Sequence, residues 1–349
     1  MLTCNIKKKL SGFSLDVNLT ANPGVTALMG ASGSGKSMTL RCIAGISRPD
    51  SGRIELNGVT LFDSEKKINL PPQARNTGFM FQDSALFPNM TVRQNIMAGA
   101  KKKPRPERTA AAAALAETFH ISRHLDKYPH ELSGGEKQRC ALARIMAGSP
   151  DILMLDEPFA ALDSHLRWEL ELELAAAFQR FRKPVLYVSH NRDEVYRLCG
   201  GIAIIDHGKN EAARGKWELF ENPETVQAAR LTGCKNIVSA EVKGTRVFVS
   251  DWGVDFDCGE TNGEVRHVGI RANNIVPMST VETAADVAAS FPFEIASEIE
   301  DTFTCILMVR KRGTELPPVR WEIRKKDRAA LRDMPQELAF LRKHILLLS

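Results

Sequence analysis

Polar and apolar residues alternate at period two through Ser14-Leu-Asp-Val-Asn-Leu-Thr20, the pattern of a half-buried strand. Val25-Thr-Ala-Leu-Met29 is a short apolar run with a β-branched start. Together residues 1–29 read as antiparallel strands leading to one buried strand. The four residues before Asp156, Ile152-Leu-Met-Leu155, are all apolar and predict a central parallel strand buried on both faces. Pro184-Val-Leu-Tyr-Val188 predicts a further strand, and Thr77-Gly-Phe-Met-Phe-Gln82 a buried one. Arg53-Ile-Glu-Leu-Asn-Gly58 predicts a strand closed by an Asn-Gly hairpin turn. Helical spacing marks Ser37 to Ala44, which stops at Gly45, an Ala-rich segment over 107–119, and Gln138 to Ala147.

From about residue 232 the pattern changes to short strands. Thr245–Ser250 and Val254–Cys258 alternate around an Asp251-Trp-Gly253 turn, and His267-Val-Gly-Ile-Arg271 follows. Phe293–Ala296, Thr304–Val309 and Arg320–Ile323 come next, then a short helix near Asp327–Arg332 and a closing strand in His344–Leu348. The expected organisation is an α/β domain over 1–228, with a helical subdomain at about 84–150, and a β-rich domain over 232–349.

Composition adds limits. The 349 residues are 43% hydrophobic, enough for full cores in two domains, and the net charge of +5 is mild. That balance fits solubility and gives no reason to expect nucleic-acid binding. The seven cysteines fall singly with no C-x-x-C pair, which argues against a zinc site and fits a reducing compartment. The amino-terminal stretch lacks the apolar core of a signal peptide, and no run of eighteen apolar residues occurs. A role in a membrane process would therefore require docking on chains that cross. Lys101-Lys-Lys-Pro-Arg-Pro-Glu-Arg108 reads as a solvated basic loop.

The chemistry begins at Gly30-Ala-Ser-Gly-Ser-Gly-Lys-Ser37, which fits the phosphate-loop template G-x-x-x-x-G-K-[ST] at every fixed position. A strand, a glycine-rich turn and a helix in that order suit a bound polyphosphate. Backbone N–H groups at a helix start face the anion, and glycines let the main chain approach.

About a hundred residues downstream, Leu132-Ser-Gly-Gly-Glu-Lys-Gln138 resembles the signature of ATP-binding cassette (ABC) ATPases, and other family elements stand in the family's order. Phe81-Gln82-Asp83 resembles the Q-loop, Ile152 to Glu157 the Walker B strand with its adjacent glutamate, Ala160-Ala-Leu-Asp163 the D-loop, and Val188-Ser-His190 the switch histidine. The resemblance covers roughly residues 1–225 and implies an α/β P-loop NTPase fold with an antiparallel β subdomain and a helical subdomain.

It also implies roles. ATP would lie against Gly30, Ala31, Ser32, Gly33, Ser34, Gly35, Lys36, Ser37 and Met38. Lys36 would meet the β- and γ-phosphates, and Ser37, Asp156 and Gln82 would hold Mg²⁺. Glu157 would polarise the attacking water, and His190 would contact the γ-phosphate. Ser133, Gly134, Gly135 and Glu136 would grip the γ-phosphate held by another copy, with Asp163 bridging between copies. One phosphate loop and one signature per chain thus imply a head-to-tail pair. Phe13 is the nearest candidate for an adenine-stacking ring, with a core Phe as the alternative.

Leu86 to Ile96 resembles the importer segment that touches a permease, making Leu86, Phe87 and Pro88 candidate docking residues, with subdomain packing as the alternative. Asn222-Pro-Glu-Thr resembles the stretch that closes many importer cassettes. The β-rich domain resembles the small TOBE/MOP-like, OB-type barrel appended to oligosaccharide and oxyanion importer ATPases, although Ala272-Asn273 stands where Pro-Glu is commoner. The resemblance implies a peripheral subunit on the cytoplasmic face of the membrane. Its partners would be a second copy, transmembrane permease subunits and, indirectly, a periplasmic or extracellular substrate-binding protein.

Molybdate-type importers are the nearest likeness and sulfate-type next; tungstate, polyamine, sugar and ferric-ion importers share the same catalytic features. An oxyanion at the C-terminal domain is a further expectation, with Lys235 and Ser239 as examples of suitable groups and no ligands assigned. A soluble ATPase acting on ribosomes or DNA normally carries two cassettes or long coiled-coil insertions, and this chain has neither. A purely regulatory protein would not need the full catalytic set.

Overall fold

In the computed structural model, residues 1–349 are described apart from 11, 82, 161, 163, 258–264 and 331–334 and the side chains of 164, 165 and 330. The chain divides into two compact units, Met1–Lys216 and Trp217–Ser349.

The first unit is built on one large mixed sheet. Its strands are β1 (Leu2–Leu10), β2 (Phe13–Ala21), β3 (Gly24–Met29), β4 (Ser51–Leu56), β5 (Val59–Asp63), β6 (Ile68–Asn69), β7 (Thr77–Met80), β8 (Ile152–Asp156), β9 (Pro184–Val188), β10 (Gly201–Asp206), β11 (Lys209–Asn210) and β12 (Arg214–Gly215). The order β6-β5-β4-β1-β2-β11-β10-β3-β9-β8-β7 places an antiparallel half beside a parallel half, with β12 on β10. β10, β3, β9, β8 and β7 run parallel, so their carboxyl ends share one edge.

Every residue of β8 and β9 is buried, as their apolar runs predict. β7 differs. It ends at Met80 at the edge of the sheet, and its burial alternates, with Gly78 and Met80 buried and Thr77 and Phe79 half-buried. The Asn-Gly turn is present, with Asn57 at φ 51° and Gly58 at φ 81°, the left-handed pair a tight hairpin needs.

Helix α1 (Lys36–Ala44) leaves the loop after β3 and ends on Gly45 in the left-handed region at φ 79°. α2 (Val92–Gly99), α3 (Arg105–Thr118) and α4 (Gly134–Ala147) pack on one another as the helical subdomain, and α5 (Ser164–Phe181) and α6 (Arg192–Leu198) complete the unit. The basic stretch divides: Lys101 and Lys102 are exposed in a turn, whereas Arg105 to Arg108 open α3.

In the second unit α7 (Lys216–Glu221) and α8 (Val226–Leu231), upstream of the expected 228–232 junction, precede β13 (Asn236–Ser239), β14 (Glu241–Lys243), β15 (Arg246–Val249), β16 (Val254–Asp257), β17 (His267–Ile270), β18 (Ile275–Pro277), β19 (Val287–Glu300), β20 (Thr304–Lys311), β21 (Val319–Arg324), helix α9 (Lys325–Ala330), β22 (Glu337–Leu341) and β23 (Ile345–Leu348). They form three small sheets, β13-β17-β23, β14-β15-β16 and β18-β22-β19-β20-β21.

A bulge between Ile295 and Ser297 lies in the β19–β20 pairing, and the two ends of β19 serve different partners, β22 first and β20 second. Aromatic rings fill the core: Phe340 meets Trp252 and Phe291 with centroids 5.4 and 5.2 Å apart, and Trp321 donates its indole N–H to Ile275 O at 3.0 Å. Arg271 ties this core to α7 and α8 by donating to Phe220 O and, at 2.6 Å, to Thr232 O.

Arg75 is the largest polar side chain sealed in the first unit, at 1% exposure. It donates to Cys42 O and Ile43 O at 2.9 Å each, to Leu70 O at 2.8 Å and to Asn69 Oδ1 at 2.9 Å. A buried guanidinium therefore caps the carboxyl end of α1, where the dipole is negative, giving Ile43 O a donor and Cys42 O a second one beside the Gly45 N–H. Arg75→Met should lower the stability of this unit by about 3 kcal/mol, because charged hydrogen bonds are lost and buried carbonyls orphaned. Urea denaturation followed by a probe in the first unit checks this.

Candidate functional site

The phosphate loop lies between β3 and α1 with its backbone pressed on both sides. A Cβ at Gly30 would stand 2.1 Å from Ile205 O, and one at Gly35 2.6 Å from Leu15 Cδ1. Gly33 and Gly35 also take φ of 79° and 112°, so both crowding and backbone angle call for glycine here. Phe13 is half-buried against the core, and its ring edge would lie 3.5 Å from a Gly35 Cβ, which sets it beside the loop. Ser34 Oγ is buried without a hydrogen-bond partner, a feature suited to a ligand oxygen.

Lys36 is buried, and its ammonium donates to Gly30 O at 2.9 Å and Ala31 O at 2.7 Å. Burial pulls its pKa below the ordinary lysine value, against the opposing pull of Glu157 and Asp156. Ser37 Oγ donates to Asp156 Oδ1 at 2.8 Å, joining α1 to the end of β8. Asp156 is 7% exposed, and burial raises its pKa despite the Ser37 hydrogen bond. A hydroxyl and a carboxylate held together at a phosphate loop form a hard-oxygen donor set that fits Mg²⁺. Among the described residues no cluster of three His, Cys, Asp or Glu side chains offers a metal cage.

Glu157 follows directly and takes φ 48°, unusual for a non-glycine residue, with its N–H bonded to Val188 O at 3.0 Å. Its Oε2 lies 3.3 Å from His190 Nδ1. Ser37, Asp156, Glu157 and His190 thus converge from α1, β8 and the turn after β9. Gln82 and Asp163 lie outside the described residues.

The other glycine-rich segment opens α4. Ser133 caps the helix: its hydroxyl accepts the Glu136 N–H at 3.4 Å, and Glu136 Oε2 accepts the Ser133 N–H at 2.8 Å. Gly134 and Gly135 occupy the first turn. Burial works to raise the Glu136 pKa, but the Ser133 hydrogen bonds, His124 and Lys127 outweigh it and hold the group below the usual carboxylate range.

Sequence reasoning missed several supporting groups. His124 Nε2 sits 2.9 Å from Glu136 Oε1, Arg75 caps α1, and Glu194 is buried behind His190. Only the Asn191 cap before Glu194 leaves a local signal. The six described cysteines are all buried and unpaired; Cys258 lies outside the described residues.

A phosphate loop, a buried Ser–Asp pair, an adjacent acidic residue, a histidine turn and a separate capped glycine helix together define an ATP-binding cassette. The family model described as "ABC transporter" matches residues 15–160. The chain is 46% identical over 223 residues to the molybdenum import ATP-binding protein ModC of Paramagnetospirillum magneticum, covering 64% of this chain and 61% of that protein. It is 39% identical to ModC of Rhodospirillum rubrum over 70% of this chain and 66% of that protein. The match to ModC of Aliivibrio fischeri is 33% identical over 324 residues, 89% of this chain and 88% of that protein.

Among solved structures, a dimeric post-hydrolysis state of the ATP-binding cassette MJ0796 bound to ADP and Pi superposes with TM-score 0.53 at 27% identity, covering 62% of this chain and 98% of that one. The chain belongs to the ABC transporter family.

The raised pKa of Asp156 has a consequence for the nucleotide-free chain. A carboxyl whose folded pKa exceeds its unfolded one contributes stability at acid pH that is lost as pH rises through the folded value. Asp156→Asn should therefore melt at higher temperature than wild type at pH 7, with the gap narrowing as pH falls into the carboxylate range. Scanning fluorimetry across pH checks the sign.

Proposed function

We propose that this chain is the ATP-hydrolysing subunit of an importer for an oxyanion, molybdate in the first instance. It would act as a head-to-tail pair beneath permease subunits at the cytoplasmic face of the membrane. The observation that carries the catalytic reading is the convergence of Lys36, Ser37, Asp156, Glu157 and His190 at one edge of the parallel sheet. The substrate reading rests on the similarity to molybdenum import ATP-binding proteins.

In this reading the α1 amides and Lys36 bind the β- and γ-phosphates, where their positive ends face the charge that leaves with the phosphate. Ser37 and Asp156, with Gln82, hold Mg²⁺, which when bound neutralises charge on the phosphate oxygens. Glu157 Oε2 orients the water and accepts its proton as the γ-phosphorus is attacked. His190 braces Glu157 through Nδ1 and leaves its other ring nitrogen for the γ-phosphate. The Ser133–Glu136 helix start of a second copy closes the pocket, with Asp163 between the copies.

Docking on a permease is supported by a groove of about 490 Å³ beside the helical subdomain. Phe79, Phe81, Phe87 and Ile145 give it an apolar floor, and Lys101 and Arg144 line it with positive charge. Phe87 is 47% exposed and is stacked by the Arg144 guanidinium at 5.2 Å; Pro88 is exposed beside it, while Leu86 is half-buried. No helix among the described residues is long and apolar enough to cross a membrane. In the C-terminal unit Lys235 and Ser239 are exposed, compatible with the anion expectation, and carry no ligand assignment.

Two outcomes test the proposal. Glu157→Gln should bind ATP with unchanged affinity and turn it over about 100-fold more slowly, a loss typical of a removed general base. Equal turnover would remove Glu157 from the mechanism. In vesicles carrying the permease and binding protein, ATP-driven uptake should follow molybdate and tungstate ahead of sulfate. Uptake of a sugar or polyamine instead would reassign the substrate and leave the ATPase reading intact.

A further inference from the structure

We infer that Arg167 and Glu194 are positioning residues that strut the His190 turn against the loop before α5, so that hydrolysis depends on them and nucleotide binding does not; this rests on the ATPase reading above. Glu194, on α6, is 4% exposed. Its Oε2 accepts from the Tyr187 hydroxyl at 3.0 Å and the Ser189 hydroxyl at 2.7 Å. Burial, then the nearby Glu194 charge, pushes the Tyr187 pKa well above its ordinary value, so the phenol stays a donor. Ser189 Oγ in turn accepts the Asn191 N–H at 3.0 Å, and Asn191 Oδ1 accepts the Glu194 N–H at 3.2 Å. The residues on both sides of His190 are thus fastened to one buried carboxylate.

Arg167 reaches the same carboxylate from α5. Its Nε lies 3.6 Å from Glu194 Oε1, and its Nη2 donates to Leu162 O at 3.1 Å. Leu162 is buried, and its Cδ2 would lie 3.4 Å from a Cβ on Gly134, so this loop abuts the first turn of α4. One arginine fork therefore spans from the histidine turn to a backbone carbonyl beside the signature helix. Glu157, Ala160, Arg167, Ser189, His190 and Glu194 wall a pocket of about 10 Å³, room for one water at most. Displacing Arg167 would open that wall directly behind the Glu157–His190 pair.

Hydrogen bonding alone does not require the arginine. Glu194 already has two hydroxyl donors, and Arg167 Nε is buried without an acceptor. What the guanidinium adds is reach in two directions, which a lysine head cannot reproduce. None of the phosphate-loop contacts involves either residue.

The test uses the full chain with its permease in vesicles. Wild type, Arg167→Met, Arg167→Lys and Glu194→Gln are compared for kcat and KM with MgATP, for melting temperature, and for ATP-driven pairing in a Glu157→Gln background. Arg167→Met should lower kcat about tenfold or more, as small misplacement of reacting groups does, with KM within about twofold and pairing unchanged. Arg167→Lys should recover only part of the loss.

Wild-type kcat in Arg167→Met overturns the inference, as does a fall in kcat matched by a rise in KM and a collapse in melting temperature. If Arg167→Met fails to fold, wild-type kcat in both Arg167→Lys and Glu194→Gln overturns it. Absence of turnover in the wild-type control would instead sink the ATPase reading itself.

Discussion

Unpaired backbone N–H groups at the amino end of α1 are the constraint around which the first unit is arranged. They attract an anion only if the preceding loop lies flat and close, and that needs glycine where Ile205 O and Leu15 press in. The opposite end of the same helix carries the complementary problem, four carbonyls without helical partners. Arg75 answers it with donors to Cys42 O and Ile43 O, and through Leu70 O it anchors the segment that leads into β7. The helix is therefore held at its carboxyl end by a buried cation and left open at its amino end.

A buried hydroxyl–carboxylate contact then fixes how the loop faces the sheet. Ser37 bonded to Asp156 links α1 to β8, and the parallel pairing of β8 with β9 carries the link to the turn bearing His190. Asp156 is costly to ionise where it stands, and Lys36 is costly to protonate. Such opposed strain marks a place where charge is to be supplied from outside. The strained backbone of Glu157 belongs to the same economy of position, since φ 48° turns its carboxylate off the strand line toward His190.

The strands and glycine motifs of the first unit were legible because each is encoded locally. Apolar runs gave β8 and β9, the Asn-Gly pair gave the β4–β5 turn, and the phosphate-loop spacing gave the start of α1. β7 was less so, because an edge strand and a central one share the same apolar start and differ only in what pairs beside them. In the second unit β22 and the first half of β19 escaped notice. Both are defined by pairing with each other across some fifty residues, which no window records. Arg75, Arg167 and Glu194 were invisible for a related reason: a charged residue reads as surface until the partners that bury it are known.

The signature helix shows how the two glycine-rich segments differ. At α1 no side-chain cap occupies the first turn, whereas at α4 the capping box already uses the Ser133 and Glu136 N–H groups. The amides that box does not use are those of Gly134 and Gly135. Glu136 adds a negative charge beside them, which by itself would repel a phosphate. Against the pull of burial, the Ser133 hydrogen bonds, with His124 and Lys127 nearby, hold that carboxyl below the usual carboxylate range. The α4 terminus is thus partly satisfied within its own chain, and in the proposed reading it would meet only the outer oxygens of a phosphate already held elsewhere. In the proposed head-to-tail reading, a strong site and a weaker one on a single chain would make a second copy necessary to close the pocket.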